Sequence, residues 1–287
     1  MSIGGVVQAA PAGIFTAFGG AFDYVLVGTR DGGADNKFVA LDPADGNVLE
    51  VFDNGSPPAS AGIGIISGAA AVDYTTRRVY FASRANAAGS ANTLWCLQLD
   101  ASPNPVFTLL WARNDLGDID SSPVLRDGRV YVGSAAGGGI LYSIDAATGS
   151  AVLDRTFTHG DGQVKGFVFP DRASPTGDVY FATDTLVWGV SDTAGTLSNK
   201  FAAGISLGGG ATPSAALYVP GRGLVYVGGS DGRLHEIDVS GASPVLNSVP
   251  LGDGLALVGA PSYDVGHGLV HVGTAAGIFY AVHSPLP

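Results

Sequence analysis

Six copies of a valine-rich strand closing on glycine or alanine recur along the 287 residues. With 44 glycines and 16 prolines the chain is poorly suited to long helices. Each strand copy is a nearly continuous apolar run, which marks a sheet covered on both faces. Together these observations predict an all-β fold, a six-bladed β-propeller of four-stranded antiparallel blades. An open sandwich would leave one sheet face wet and its strands alternating.

The elements follow in chain order. The first-found strands are "VLVGT", "VYFAS", "VYVGS", "VYFAT", "VYVGG" and "VHVGT", ending their runs at Gly28, Ala82, Gly133, Ala182, Gly228 and Gly273. These positions lie 54, 51, 49, 46 and 45 residues apart, close to the size of one propeller blade. After a turn comes a second strand: "FVALD", "CLQLD", "LYSID", "VWGVS", "LHEID" and "FYAVH". Its last position reads Asp42, Asp100, Asp145, Ser191, Asp238 and His283. An aspartate there accepts backbone N–H groups two residues on and so starts a tight turn. A further strand precedes each copy, as "SSPVL" does before Arg126-Asp127-Gly128, and a fourth follows, as in "NVLEVF" and "PVFTLLW". The sixth copy stops after its third strand, so "IGGVVQAA" (3–10) is expected to complete the last blade and close the ring, removing both open edges. The expectation is a single domain over residues 1–287.

Composition narrows the partners. Against 25 acidic residues there are 14 basic ones, and a net charge of −11 repels a phosphate backbone, so nucleic acid is not expected. Cys96 stands alone, which excludes an internal disulfide and a multi-thiolate zinc site. No apolar run reaches membrane-spanning length, and the amino terminus lacks the basic and apolar regions of a leader. No membrane insertion is expected. Only three lysines amid abundant small residues suggest a secreted or cell-surface protein.

The stretch "SSPVLRDGRVYVGSAAGGGILYSIDAATG" resembles the repeat of quinoprotein-type (PQQ-like) propellers, through Ser121, Ser122, Pro123, Asp127, Gly128, Tyr131, Gly133, Tyr142, Asp145, Thr148 and Gly149. The resemblance covers essentially the whole chain, and its motifs are structural, so it speaks for fold more than for activity. The family's quinone enzymes resemble eight-bladed rings with a calcium site, a stacked tryptophan and usually a pair of adjacent cysteines. Here six blades are counted, Cys96 has no neighbouring cysteine, and no carboxylate–asparagine set maps onto the calcium ligands. The non-enzymatic branch, with no cofactor, is therefore expected.

Candidate chemistry is sparse. "GGSDG" and "GISLG" match a nucleophile-elbow spacing at Ser230 and Ser206, without its strand-to-helix context. His235 and His271 occupy columns filled elsewhere by packing residues, and Tyr131, Phe181, Trp188 and Tyr280 read as core. Trp95 and Trp111 lie beside a longer loop, and one of them is expected to be exposed. Cys96 reads as a buried thiol. Asp115, Asp118 and Asp120 have the oxygen chemistry of a calcium loop but not its regular frame, and loop solvation is preferred.

The longest connections, "RDGGADNK", "RANAAGSAN", "NGSPPASAGIG", "RNDLGDID" and "THGDGQVK", all fall between the second and third or the fourth and first strands, which share one face. Elaborated loops on a rigid scaffold are the usual place for recognition. The binding-face candidates are Arg30, Asp35, Arg84, Arg113, Asp115, Asp118, His159 and Lys165. The expected function is a non-catalytic module that binds a protein or glycan through that face, within a larger assembly. The alternative is an enzyme, whether hydrolase, lyase or oxidoreductase, with its site at the mouth of an axial channel.

Overall fold

The computed structural model describes residues 7, 10–14, 23–31, 36–55, 62–85, 92–100, 102–171, 177–193 and 195–287. Among these residues it contains strands, turns and two short 3-10 turns, Ala136–Gly138 and Ala151–Leu153, but no α-helix. None of its helices is long and apolar enough to cross a membrane. The fold class is the predicted one, all-β, in six antiparallel sheets of the propeller-blade kind.

The first sheet runs β1 (Ala12–Ile14), β2 (Tyr24–Gly28), β3 (Phe38–Leu41) and β4 (Val48–Phe52). The second runs β5 (Ala71–Asp73), β6 (Arg78–Ala82), β7 (Leu94–Asp100) and β8 (Val106–Arg113). The third comprises β9 (Val124–Arg126), β10 (Arg129–Ser134), β11 (Ile140–Asp145) and β12 (Arg155–Thr158). In the fourth, β13 (Lys165–Pro170), β14 (Asp178–Ala182), β15 (Leu186–Thr193) and β16 (Thr196–Asn199) are joined by the two-residue β17 (Ile205–Ser206) beside β15. The fifth holds β18 (Leu217–Val219), β19 (Leu224–Gly228), β20 (Arg233–Asp238) and β21 (Val245–Pro250). The sixth has three strands, β22 (Ser262–Asp264), β23 (Leu269–Gly273) and β24 (Phe279–His283). The strand expected over residues 3–10 lies outside the described residues, apart from Val7 and Ala10.

The chain gathers into two compact units, residues 1–136 with 142–154 and residues 137–141 with 155–287. In the first, Phe38 stacks on Phe81 at 4.4 Å and Phe81 on Trp95 at 5.8 Å, within a core that includes Leu26, Ile66 and Leu97. In the second, Tyr180 stacks on Tyr218 at 4.6 Å among Val187, Val225 and Ile237. The apolar runs behave as predicted in β6 and β14, which are buried almost throughout. In β23 burial alternates.

Register corrects two readings. Gly28 pairs with Phe38, Gly228 with Leu234 and Gly273 with Phe279, but Ala82 pairs with Leu94. The second strand of blade two therefore begins two residues before "CLQLD", and Trp95 takes the position held by Trp188 and His235. Trp95 is fully buried and Trp111 half-buried, so neither tryptophan is the exposed one expected. Both Trp95 and Trp188 use the indole N–H inside, on Ser83 Oγ at 3.0 Å and Thr183 Oγ1 at 3.2 Å.

Phe279 departs from its column. Phe38, Leu94, Val187 and Leu234 are at most 1% exposed, whereas Phe279 is 70% exposed. His271 stacks on it at 5.6 Å.

Candidate functional site

In each of the first five blades a meander of four antiparallel strands puts the second-to-third turn and the exit from the fourth strand at one end. Hydrogen bonds join these loops by a rule that repeats. The linking segment after blade one donates Ile66 N–H to Thr29 O (3.2 Å) and offers Ile65 O to Arg84 N–H (2.9 Å). The segment after blade two does the same with Ile119 N–H to Ser83 O (3.3 Å) and Asp118 O from Ala135 N–H (3.2 Å). In the second unit Val258 N–H goes to Gly229 O (3.1 Å) and Leu257 O receives Ala275 N–H (2.8 Å). Each link is thus stitched to the turn of the blade it leaves and the turn of the blade it approaches. At these three stitches a fully buried aliphatic residue, Ile66, Ile119 or Val258, anchors the link.

The glycine that ends the strand copy makes room for this crossing. A Cβ on Gly28 would fall 2.2 Å from Ile66 Cγ2, and one on Gly228 would fall 2.3 Å from Gly259 O. A serine near the proline that leads into the blade works with it: Ser121 Oγ accepts Gly133 N–H at 2.9 Å, and Ser214 Oγ accepts Gly228 N–H at 2.9 Å. These serines extend the strand ladder by side chain where the backbone turns away.

The triple glycine of blade three has a comparable purpose. Gly139 holds φ +125°, and a Cβ there would fall 2.2 Å from the His159 ring, while His159 N–H and Gly162 N–H donate to Gly139 O and Gly138 O. The turn packs on a histidine, with its carbonyl oxygens accepting N–H groups of the adjoining loop.

The predicted face residues fall into three groups. Arg30 is exposed, and Lys165 is half-buried with its ammonium donating to Pro213 O (3.0 Å) and Asp184 O (3.3 Å). Arg84 chelates Asp120 at 2.6 Å, and Asp118 accepts Ala85 N–H at 2.7 Å. Arg113 and His159 face inward rather than to solvent: the Arg113 guanidinium is 8% exposed between Asp115 and Asp154, both at 2.7 Å, and also donates to Gly149 O. Asp35 lies outside the described residues.

Of the proposed calcium carboxylates, Asp115 is engaged by Arg113 and Asp120 by Arg84, so two of the three already face a guanidinium. No group of three or more His, Cys, Asp or Glu among the described residues is placed to hold a metal ion. The elbow serines are turn chemistry: Ser230 Oγ accepts Thr212 N–H at 2.9 Å and Ser206 Oγ accepts Gly208 N–H at 3.1 Å.

Electrostatics follows the packing. The Arg113 guanidinium holds the Asp115 carboxyl below the usual carboxylate range, against a smaller opposing effect of burial. Burial pushes Asp161 up, but hydroxyl bonds from Thr183 and Thr185 and backbone N–H bonds from Thr185 and Leu186 outweigh it and the net shift is downward. Burial against Phe181 and Trp188 pushes the His159 pKa down, with Asp161 and Asp184 opposing. Burial pushes the Cys96 thiol up to about 12, an inert state for a cysteine.

Sequence reasoning located the loops but missed the stitch residues. Ile66, Ile119 and Val258 read as ordinary apolar positions, since backbone partners leave no side-chain signature. The apolar residue a few positions before the first strands of blades two, three and six is the signal the sequence offers.

Among curated proteins none matches the chain. A family model described as outer membrane protein assembly factor BamB, of the PQQ-like repeat kind, matches residues 8–200 and 84–249. That span exceeds half of the chain, and the chain belongs to this family of PQQ-like repeat propellers.

Proposed function

We propose that the chain is a non-catalytic binding module, outside the cytoplasm, that recognises a protein through its long-loop rim. The observation that carries this reading is the stitched rim itself. Turns and links that would otherwise be flexible are held by paired backbone bonds, so a partner would meet a preformed surface and lose little entropy in ordering it. Charged side chains of the rim, such as Arg84 and Asp120, hold one another instead of converging on a reacting group. The family description, an assembly factor for outer membrane proteins, supports protein rather than glycan as the partner and an extracytoplasmic surface as the location.

Photo-crosslinking tests the reading. A benzoylphenylalanine placed at Arg30, Asp118 or Lys165 samples the rim, and one at Asp45 or Val152 samples the short-turn end. Incubation with purified components of an outer-membrane assembly machinery is expected to yield adducts from rim positions alone. Adducts from the short-turn positions, or none from the rim, would overturn it.

A further inference from the structure

Opposite the middle of four of the copied strands lies a small residue: Ala40 against Leu26, Cys96 against Tyr80, Gly189 against Tyr180 and Ala281 against His271. Blade five breaks the column by setting Glu236 against Tyr226. This carboxylate is 6% exposed, and a buried carboxylate is costly unless donors surround it. Its donors are specific. Glu236 Oε2 accepts the Tyr226 hydroxyl at 2.5 Å and Leu286 N–H at 2.8 Å, and the same hydroxyl lies 2.6 Å from Ser284 Oγ.

Residues 284–287 are thereby drawn across blade five. Leu286 is 6% exposed and packs in one cluster with Leu224, Tyr226, Leu234, Val270 and Val272, which joins the facing sides of blades five and six. Asn247 Nδ2 donates to Leu286 O and Pro287 O, and Arg222 donates to Ser284 O. The opposite side of blade six presents Phe279, Ala281 and His283 exposed. Blade six is buried on the side that faces blade five, and the segment that follows it fastens that side.

We propose that residues 284–287 form a strap whose buckle is Glu236, and that release of the strap frees blade six from blade five as a local opening. Glu236 is a positioning residue, acting through the Leu286 amide and the Tyr226 hydroxyl. The proposal concerns a conformational device and stands apart from the binding reading.

Hydrogen exchange followed by mass spectrometry on the whole chain tests it. The wild-type Leu286 amide is expected to exchange about 100-fold more slowly than in a free peptide. Glu236→Ala is expected to abolish that protection and to accelerate exchange in β22–β24 about tenfold, leaving β6 and β7 unchanged. Glu236→Gln keeps an acceptor in place and is expected to stay within about threefold of wild type. Leu286→Ala, which keeps the N–H and removes the anchor, is expected to accelerate β22–β24 as well, and it serves if the Glu236→Ala chain does not fold. An unprotected Leu286 amide in the wild type would overturn the proposal. So would a Gln variant as labile as the Ala variant, or acceleration confined to β20 and β21.

Discussion

Arg113 is worth more to this protein as an interior cation than as a surface one. Its guanidinium, 8% exposed, joins Asp115 to Asp154, which is itself 10% exposed. Arg113→Ala would leave the Asp154 carboxylate buried without its cation, and the expected loss is about 3–5 kcal/mol in denaturant unfolding. A loss below about 1 kcal/mol, the range of a surface pair, would mean that water reaches the cluster. His159 sets a pH dependence. Its folded pKa lies below the ordinary value because the ring is buried, so between that value and about 6.5 the unfolded chain binds a proton that the folded chain does not. The sign follows: stability is fully present above about pH 6.5 and declines as pH falls below it. His159→Gln is expected to flatten the decline, and unfolding midpoints measured from pH 7.5 to 5 read it directly. Neither role was visible in the chain. The sequence shows Arg113 and Asp115 as neighbours in a polar loop, but Asp154 is 41 positions away and arrives only through folding.

At the scale of the element, two glycines in equivalent positions should answer differently to the same change. Gly228→Ala sets a methyl group 2.3–2.4 Å from the carbonyl oxygens of Gly259 and Val258, backbone atoms that cannot swing aside. The expected cost is about 1–3 kcal/mol, the range of an overpacked interior. Gly273→Ala meets nothing within 4 Å and lies outside the left-handed region, so it is expected to be neutral or to stabilise by up to about 1 kcal/mol. The neighbouring column makes the same contrast. Leu234→Ala, at a fully buried site, is expected to cost about 2–5 kcal/mol, while Phe279→Ala, at a site 70% exposed, falls well below that. Thermal melts of the four variants check both pairs, and equal losses within either pair would contradict the observed packing. The strands themselves were legible because a doubly covered sheet writes a continuous apolar run. The register of blade two was not, because Asp100 lies two positions farther from Leu94 than Asp42 does from Phe38, and an alignment on that aspartate slips by two residues.

For the whole molecule, what the sequence displayed was repetition: six copies at a slowly shrinking period report six sheets, and the sheets are there. The rim was legible only as loop length, since the stitches that order it are backbone bonds common to any residue type. Charge is the global property that bears on partners. The surface carries most of a net −11, and several of the 14 basic residues are already committed, Arg84 to Asp120, Arg113 to Asp154, Arg155 to Asp192 and Lys200 to Asp178. A polyanion would thus meet few available cations and many carboxylates, and little counterion release would favour its binding. The expected outcome is no mobility shift of double-stranded DNA or single-stranded RNA at about 150 mM salt with protein up to about 10 µM, a concentration within the range of ordinary non-specific dissociation constants. Lowering the salt separates the two explanations of a null result. A hidden basic stripe would reveal itself as binding that strengthens steeply toward about 50 mM, with a log–log slope that counts the phosphates engaged, whereas an acidic surface with its cations already paired stays unbound throughout.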